Sequence, residues 1–328
     1  MIKQIHGNLY RLQVDLPGNP LKWLNSYVIV SPQRSLIIDT GFNRPECLDT
    51  LRRGIRELGL DMDKTDVLAT HVHADHTGLI SQTISADSKV YMGHADAEIF
   101  RNVMSAGDTQ WWNDGESRFR QEGYPEEKLT ETRLANPARK FISEGLFEVT
   151  SLHDGDILRY GEWTWEVVST PGHTPGHICL YERQHNILFT GDHLLFDITP
   201  NIAWWRELED PLSHYFASLH KISSLNVNTV LTGHRQNEGT LEKRIPELLK
   251  HHEERLDDVL NIVQENPYST GYEIASKMHW SIRAKSWADF PPGQRWFAVG
   301  EAISHIDHLV LQGRLQRHSK DGVHTYAL

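Results

Sequence analysis

Four potential metal ligands fall within six residues at His71-Val72-His73-Ala74-Asp75-His76, directly after the apolar stretch 66–70. In an extended segment, residues two apart point the same way, so His71 and His73 can grip one ion together. A turn into a helix beginning near Thr77-Gly78 would carry Asp75 and His76 towards a second, adjacent ion. The chain must then fold so that other segments reach the end of this strand and complete the coordination.

Three later segments have the right form. Pro171-Gly172-His173-Thr174-Pro175-Gly176-His177 follows a strand-like run, and its rigid Pro/Gly turn can project one imidazole at a fixed angle. Phe189-Thr190-Gly191-Asp192-His193 presents an aspartate at another strand end, and Thr232-Gly233-His234 repeats the device. Nitrogen and carboxylate donors without thiolate suit zinc, and also iron or manganese. Two neighbouring cations would lower the pKa of a shared water and polarise a substrate carbonyl or phosphoryl oxygen, with Asp75 able to orient that water as well as bind. The chain has 20 histidines, so most have other roles. His193 points away from Asp192 if the segment is extended, and His177 reads as support for its turn. His94, His153, His185, His214 and His220 lack comparable context.

Apolar alternation and runs predict strands at 9–14, 25–30, 35–39, 66–70, 89–92, 163–169, 178–182, 187–190 and 229–232. Helices are predicted over 46–60, where Leu48, Leu51, Ile55 and Leu58 recur at spacings of three and four, and over 211–225. Two blocks of strands, each followed by helix, imply two sheets packed face to face with helices outside. Residues from about 96 to 146, polar and rich in Trp, Arg and Glu, read as an inserted helical cap. Beyond residue 250 the pattern gives helices at 251–265, 270–278 and 294–311. A hairpin of 314–317 and 323–327 follows, turning at Asp321-Gly322. Three helices and a hairpin make a winged-helix-like arrangement. The expected division is a catalytic domain, 1–250, and a C-terminal domain, 251–328.

Taken in order, these motifs resemble the metallo-β-lactamase superfamily over residues from about 8 to 249. The resemblance implies an α/β, more strictly α+β, fold: an αββα sandwich with the site at one edge. It implies that His71, His73 and His173 bind a first ion, that Asp75, His76 and His234 bind a second, and that Asp192 bridges them. Asp39 resembles the family's supporting aspartate, holding a ligand rather than binding. Gly191-Asp192-His193-Leu194-Leu195 followed by Thr199-Pro200-Asn201-Ile202 is similar to the β-lactamase-like group with a C-terminal winged-helix domain. Antibiotic-destroying members usually carry other residues where His76 and Asp192 stand here. RNA-processing members of the β-CASP type insert a domain that the Asp192–His234 spacing leaves no room for. Flavodiiron proteins replace the residue matching His73 by glutamate. Persulfide dioxygenases use only part of this ligand set, and Gly233-His234-Arg235-Gln236 lacks the aromatic ending of glyoxalase-type thioesterases.

The expected function is hydrolysis of a small ester, thioester or lactone at a pair of zinc ions, with an endoribonuclease as the alternative and a non-catalytic metal module third. Trp111, Trp112, Phe196, Trp204 and Trp205 are the candidate pocket residues, since paired tryptophans offer rigid apolar surface. Trp287 could join them, and Arg206, Arg235 or Arg295 could meet an anionic group. A formal net charge of −11 argues against a nucleic-acid partner. Residues 251–328 hold eight Lys and Arg against ten Asp and Glu, fewer positive charges than phosphate binding demands. A small molecule is the expected partner, and the C-terminal domain is left to packing, homodimer formation or the pocket rim. Two cysteines, Cys47 and Cys179, are too few for a disulfide framework and read as buried thiols. With no signal-like N-terminus and no membrane-length apolar run, the expected compartment is the cytoplasm.

Overall fold

The computed structural model describes residues 1–106, 109–145, 147–281 and 284–328. One sheet takes seven strands in chain order: β1 (Ile2–His6), β2 (Leu9–Asp15), β3 (Trp23–Ile29), β4 (Ser35–Ile38), β5 (Thr65–Ala69), β6 (Val90–Gly93) and β7 (Thr150–Leu152). Pairing is antiparallel as far as β4 and parallel beyond it. The parallel connections carry α1 (Pro45–Glu57), then α2 (Ala74–Thr77) and α3 (Ile80–Thr83). The last of them carries α4 (His94–Ala106), α5 (Thr109–Gln121), α6 (Glu126–Ala135) and α7 (Pro137–Lys140).

The second sheet contains β8 (Ile157–Tyr160), β9 (Trp163–Ser169), β10 (Ile178–Glu182), β11 (Ile187–Gly191) and β12 (Thr229–Thr232), in the order β12-β11-β10-β9-β8. Only β11 and β12 run parallel, and α8 (Pro211–Ser223) connects them. The period of two along a strand sorts its side chains between layers. In β10, Ile178 and Leu180 enter the core between the sheets with Tyr27, Ile29, Trp165 and Phe189. Cys179 and Tyr181 of the same strand face outward onto α8 and the C-terminal helices. On the far side, Val28, Ile37 and Val67 pack under Ile80, Ala97 and Phe100, and Leu12 and Leu24 pack under Cys47 and Leu51 of α1. The layers are αββα. The two cysteines lie buried and free in separate outer layers.

Several expected elements are shifted or supplemented. The strands β1 and β8 escape the sequence pattern because both are edge strands with at least half of their residues exposed, so their apolar signal is weak. The hairpin's first strand is β13 (Gln316–Lys320), fully exposed, rather than 314–317. It pairs with β14 (Val323–Ala327) across Asp321 and Gly322, both at positive φ (52° and 79°) as a two-residue turn of this hand requires. Part of the expected cap belongs to the outer layer, since Ala97 and Phe100 of α4 lie against the first sheet; its expected end at residue 146 lies outside the described residues.

The C-terminal helices are α9 (Leu241–Glu265), α10 (Gly271–Lys277) and α11 (Pro292–Leu311). Helix α9 runs unbroken through residue 250, and Val299, Ile303 and Tyr326 share one apolar cluster with the second sheet. Among the described residues no helix is long and apolar enough to cross a membrane.

Helices α5 and α6 are pinned to this C-terminal part. Phe119 stacks on Trp296 with ring centroids 3.6 Å apart. The fully buried Glu122 accepts hydrogen bonds from Tyr326 Oη (2.8 Å) and Arg118 Nε (3.0 Å), and pairs with His324 Nδ1 at 3.0 Å. Burial pushes its carboxyl pKa up, but His324, Arg118 and Tyr326 outweigh that and hold it below the ordinary glutamate value. A depressed folded-state pKa contributes stability above the unfolded value, and that contribution disappears as pH falls through the folded one. Glu122→Ala is expected to lower unfolding free energy at pH 7 by about 3–5 kcal/mol, the usual cost of breaking a buried pair, with the gap from wild type closing in acid. Urea melts at pH 7 and below pH 4 check this, and a loss under about 0.5 kcal/mol, the range of ordinary surface substitutions, would show that Glu122 does not anchor the interface.

Candidate metal centre

Each sheet ends in loops that meet at one edge of the sandwich. After β4, Asp39 adopts a left-handed backbone (φ 61°) that turns its carboxylate back towards the end of β5. Asp39 accepts from Thr70 N (2.8 Å) and Thr70 Oγ1 (2.9 Å), and its Oδ2 lies 2.8 Å from His76 Nδ1. That contact commits His76 Nδ1 and leaves Nε2 directed into the cluster. Thr70 gives its hydroxyl proton to Asp39, so it accepts from His71 Nδ1 at 3.1 Å and frees His71 Nε2 as an acceptor. The helical turn begins at Ala74, earlier than the expected Thr77-Gly78, with His73 as its N-cap. Asp75 and His76 therefore project from successive helical positions, about 100° apart, rather than from a loop.

The second sheet supplies the remaining groups. His173 Nδ1 donates to the Asn201 carbonyl (2.8 Å), and its Nε2 lies 3.1 Å from His73 Nδ1. His234 Nδ1 donates to the Trp23 carbonyl (2.9 Å), and its Nε2 lies 3.4 Å from both Asp75 Oδ2 and Asp192 Oδ2 and 3.3 Å from His76 Nε2. Three sets of donors lie within 4.8 Å: His71, His73 and His173; His71, His76 and Asp192; and Asp75, His76 and His234. All seven expected ligands thus converge. Asp192 Oδ1 is buried without a hydrogen-bond partner, and the Nε2 atoms of His71 and His173 both face His73 Nδ1, at 3.0 and 3.1 Å. A donor set of this kind fits divalent cations.

The electrostatics divide the cluster in two. Burial, reinforced by neighbouring imidazoles, drives His71 far below the ordinary imidazole range and His73 down to about 3, and burial lowers His173 as well. Burial thus favours the uncharged form of all three rings. Burial also opposes charge on His76 and His234, but the aspartates prevail: Asp39 and Asp192 lift His76 well above its usual value, and Asp192 and Asp75 lift His234 to about 9. Asp75 falls to about 2 and Asp192 well below the usual carboxylate range, because His234 and His76 outweigh the burial penalty on each. Cations entering here would take over the neutralising role of those protons.

Supporting groups surround the donors. His177 Nε2 accepts from Asp192 N (3.2 Å) while its Nδ1 meets Thr170 Oγ1 (2.8 Å), consistent with a supporting role. A Cβ on Gly191 would lie 2.8 Å from His177 Nε2 and Thr70 Oγ1, so only glycine lets Asp192 follow so closely. His193 turns away to meet Tyr215, ring centroids 5.2 Å apart.

Sequence reading missed Asp96. Its buried carboxylate accepts from Val72 N (2.8 Å), Thr174 Oγ1 (2.6 Å) and Gly176 N (2.6 Å), tying the 71–76 and 171–177 loops together. Burial holds its pKa up at about 6. An aspartate in the first turn of a helix reads by default as serving that helix's own N-terminus, so the sequence carries no signal for this longer reach.

The five pocket candidates separate. Trp205 donates from Nε1 to the His173 carbonyl (3.0 Å), and its ring lies 5.8 Å from that of His73. Trp111 stands 6.4 Å from Trp205 and is held by Glu207 (2.7 Å); Trp112 packs edge-on against Trp111, with Arg139 4.2 Å above its ring. Trp204 and Phe196 instead pack onto the apolar cluster between the second sheet and the C-terminal helices, because Trp204 N is bonded to Gly300 O (3.0 Å) and Phe196 lies over Gly239. Trp287 packs against Tyr272 and Phe290. The three arginines are already engaged: Arg206 with Asp114 (2.7 Å), Arg235 with the Pro20 carbonyl, and Arg295 with the Phe290 carbonyl.

Comparison with known proteins agrees with this geometry. The metallo-beta-lactamase superfamily profile matches residues 24–234, and that of the metallo-beta-lactamase-like C-terminal domain matches 287–328. The metallo-beta-lactamase family protein TTHA1429 of Thermus thermophilus superposes with a TM-score of 0.81 at 25% identity, covering 98% of each chain. A beta-lactamase domain protein from Burkholderia ambifaria gives 0.77 at 22% identity, over 100% of this chain and 94% of that one. The probable metallo-hydrolase YqjP of Bacillus subtilis is 24% identical over 83% of both chains. The lactamase-like protein aptB of Emericella nidulans is also 24% identical, over 75% of this chain and 62% of its own. Human acyl-coenzyme A thioesterase MBLAC2 is 30% identical over 51% of this chain and 57% of its own. With the family profile spanning most of the sandwich and the histidines and aspartates gathered at its edge, this chain belongs to the metallo-beta-lactamase superfamily as one of its metal-binding hydrolases.

Proposed function

We propose that the chain hydrolyses a small ester, thioester or lactone at a pair of zinc ions. One ion would be held by His71, His73 and His173 and the other by Asp75, His76 and His234, with Asp192 between them. The observation that carries this reading is the overlap of the donor sets, since the set containing Asp192 shares His71 with one neighbour and His76 with the other. Two bound cations supply Lewis acidity, acidifying a shared water and polarising the carbonyl under attack.

The chain's own groups do the rest. Asp75, kept ionised, can accept a hydrogen bond from the attacking water and so fix its orientation. His73 is the half-buried member of its donor set, so its side of the centre is open to solvent. Trp205 and Trp111 stand on that side, a rigid apolar wall for the acyl part of a substrate. A thioester is favoured by the likeness to an acyl-coenzyme A thioesterase over half the chain. The net charge of −11 weighs against RNA.

Zinc-loaded protein tested against acyl thioesters, lactones, phosphodiesters and short RNA is expected to turn over the carbonyl substrates and leave RNA intact. RNA cleavage without carbonyl turnover would transfer the site to the phosphodiesterase reading. Asp192→Ala is expected to reduce bound zinc below two ions per chain and lower kcat/KM by at least about 100-fold, the upper end of losses seen for groups that merely support a ligand. Elemental analysis beside the kinetics checks both, and full occupancy with full activity would remove Asp192 from its central role.

A further inference from the structure

We infer that Glu301, on the C-terminal helix α11, is a positioning residue for the His173 imidazole; this rests on the metal-site reading above. Two hydrogen bonds, both through Asn201, connect them. His173 Nδ1 donates to the Asn201 carbonyl at 2.8 Å. The Asn201 side chain donates from Nδ2 to Glu301 Oε2 at 2.6 Å, with a longer contact to the Phe297 carbonyl at 3.4 Å. Glu301 is itself paired with Arg255 of α9 at 3.4 Å.

Both charged ends are buried, Glu301 at 8% exposure and Arg255 at 5%. Arg255 is covered by the Trp280 ring, 3.9 Å from its guanidinium carbon, and donates to the His279 carbonyl. Burying such a pair costs desolvation that a well-packed apolar pair would avoid. What the carboxylate adds is direction: it holds the Asn201 side chain and, through it, the peptide whose carbonyl fixes the His173 tautomer. The surrounding backbone is built to the same end. Trp204 N donates to Gly300 O (3.0 Å), and Trp205 Nε1 donates back to the His173 carbonyl (3.0 Å). The segment 201–205 is thus tied on one side to a metal-ligand loop and on the other to α11. A ligand's hydrogen-bonded support sets both its orientation and its basicity, so the C-terminal helices act on the centre although they contribute no ligand to it.

The test is zinc titration of the full chain, with cobalt(II) absorption spectra as a second readout, for wild type, Glu301→Gln, Asn201→Ala, Glu301→Ala and the Asn201→Ala/Glu301→Ala pair. Glu301→Ala leaves Arg255 buried without its partner and can unfold the chain; Asn201→Ala keeps that ion pair and carries the test in that event. Wild type should bind two ions. Asn201→Ala and Glu301→Ala should each weaken one of the two by about 10–100-fold, the range for outer ligand supports, and shift the cobalt bands of that ion alone. The double variant should be no weaker than the worse single one, as expected for residues in one chain of contacts. Glu301→Gln, which keeps an acceptor for Asn201, should restore most of the affinity. Losses that add, or variants that bind both ions as wild type does, overturn the inference alone. A wild type that takes up no ion overturns the metal-site reading and this inference with it.

Discussion

Five imidazoles and two carboxylates packed into one edge of a sandwich make a costly arrangement, because buried polar groups need partners and buried charges need compensation. The protein spends its hydrogen bonds on the outer nitrogens: Asp39 holds His76, Thr70 holds His71, the Trp23 carbonyl holds His234 and the Asn201 carbonyl holds His173. The inner nitrogens then have only each other and the aspartates to face. Much of the local structure serves this constraint, from the left-handed backbone of Asp39 to the glycine before Asp192.

The sandwich makes the convergence geometrically possible. The first sheet delivers Asp39 from the end of β4 and the His71–His76 run from the end of β5. The second delivers His173 after β9, Asp192 after β11 and His234 after β12. The sheets are joined by a core of Tyr27, Trp165, Phe189 and their neighbours, so the two halves of the centre are held by apolar packing before any cation contributes. Asp96 and His177 adjust that alignment, one by tying two ligand loops and the other by holding the backbone of Asp192. The C-terminal helices extend the same support from outside the sandwich.

Much of this was legible in the sequence. His71, His73, Asp75 and His76 declare themselves by density, and His173, Asp192 and His234 by their recurrence after apolar runs beside Gly and Pro. Central strands such as β10 and β11 are readable because burial on both faces makes most of their residues apolar. The edge strands β1 and β8 are not, since at least half of each is exposed and its pattern is diluted. Asp96, Asn201 and Glu301 were hidden for a different reason. Each acts through contacts far away in the chain, 24 residues for Asp96 with Val72 and 100 for Asn201 with Glu301, and an isolated polar residue carries no mark of a distant partner. The tryptophans show the same limit: Trp204 and Trp205 are neighbours in sequence, yet one packs in the apolar cluster and the other beside His73.

The most direct measurement is anomalous X-ray diffraction at the zinc edge from crystals of the metal-loaded protein. Two peaks are predicted at the sandwich edge, one bounded by the His71, His73 and His173 nitrogens and the other by Asp75, His76 and His234, with an Asp192 oxygen reaching both. The two should lie about 3.5–4 Å apart, the spacing of paired catalytic metals. A single peak that leaves His76 and His234 bonded only to aspartates, or peaks elsewhere on the chain, would contradict a paired centre.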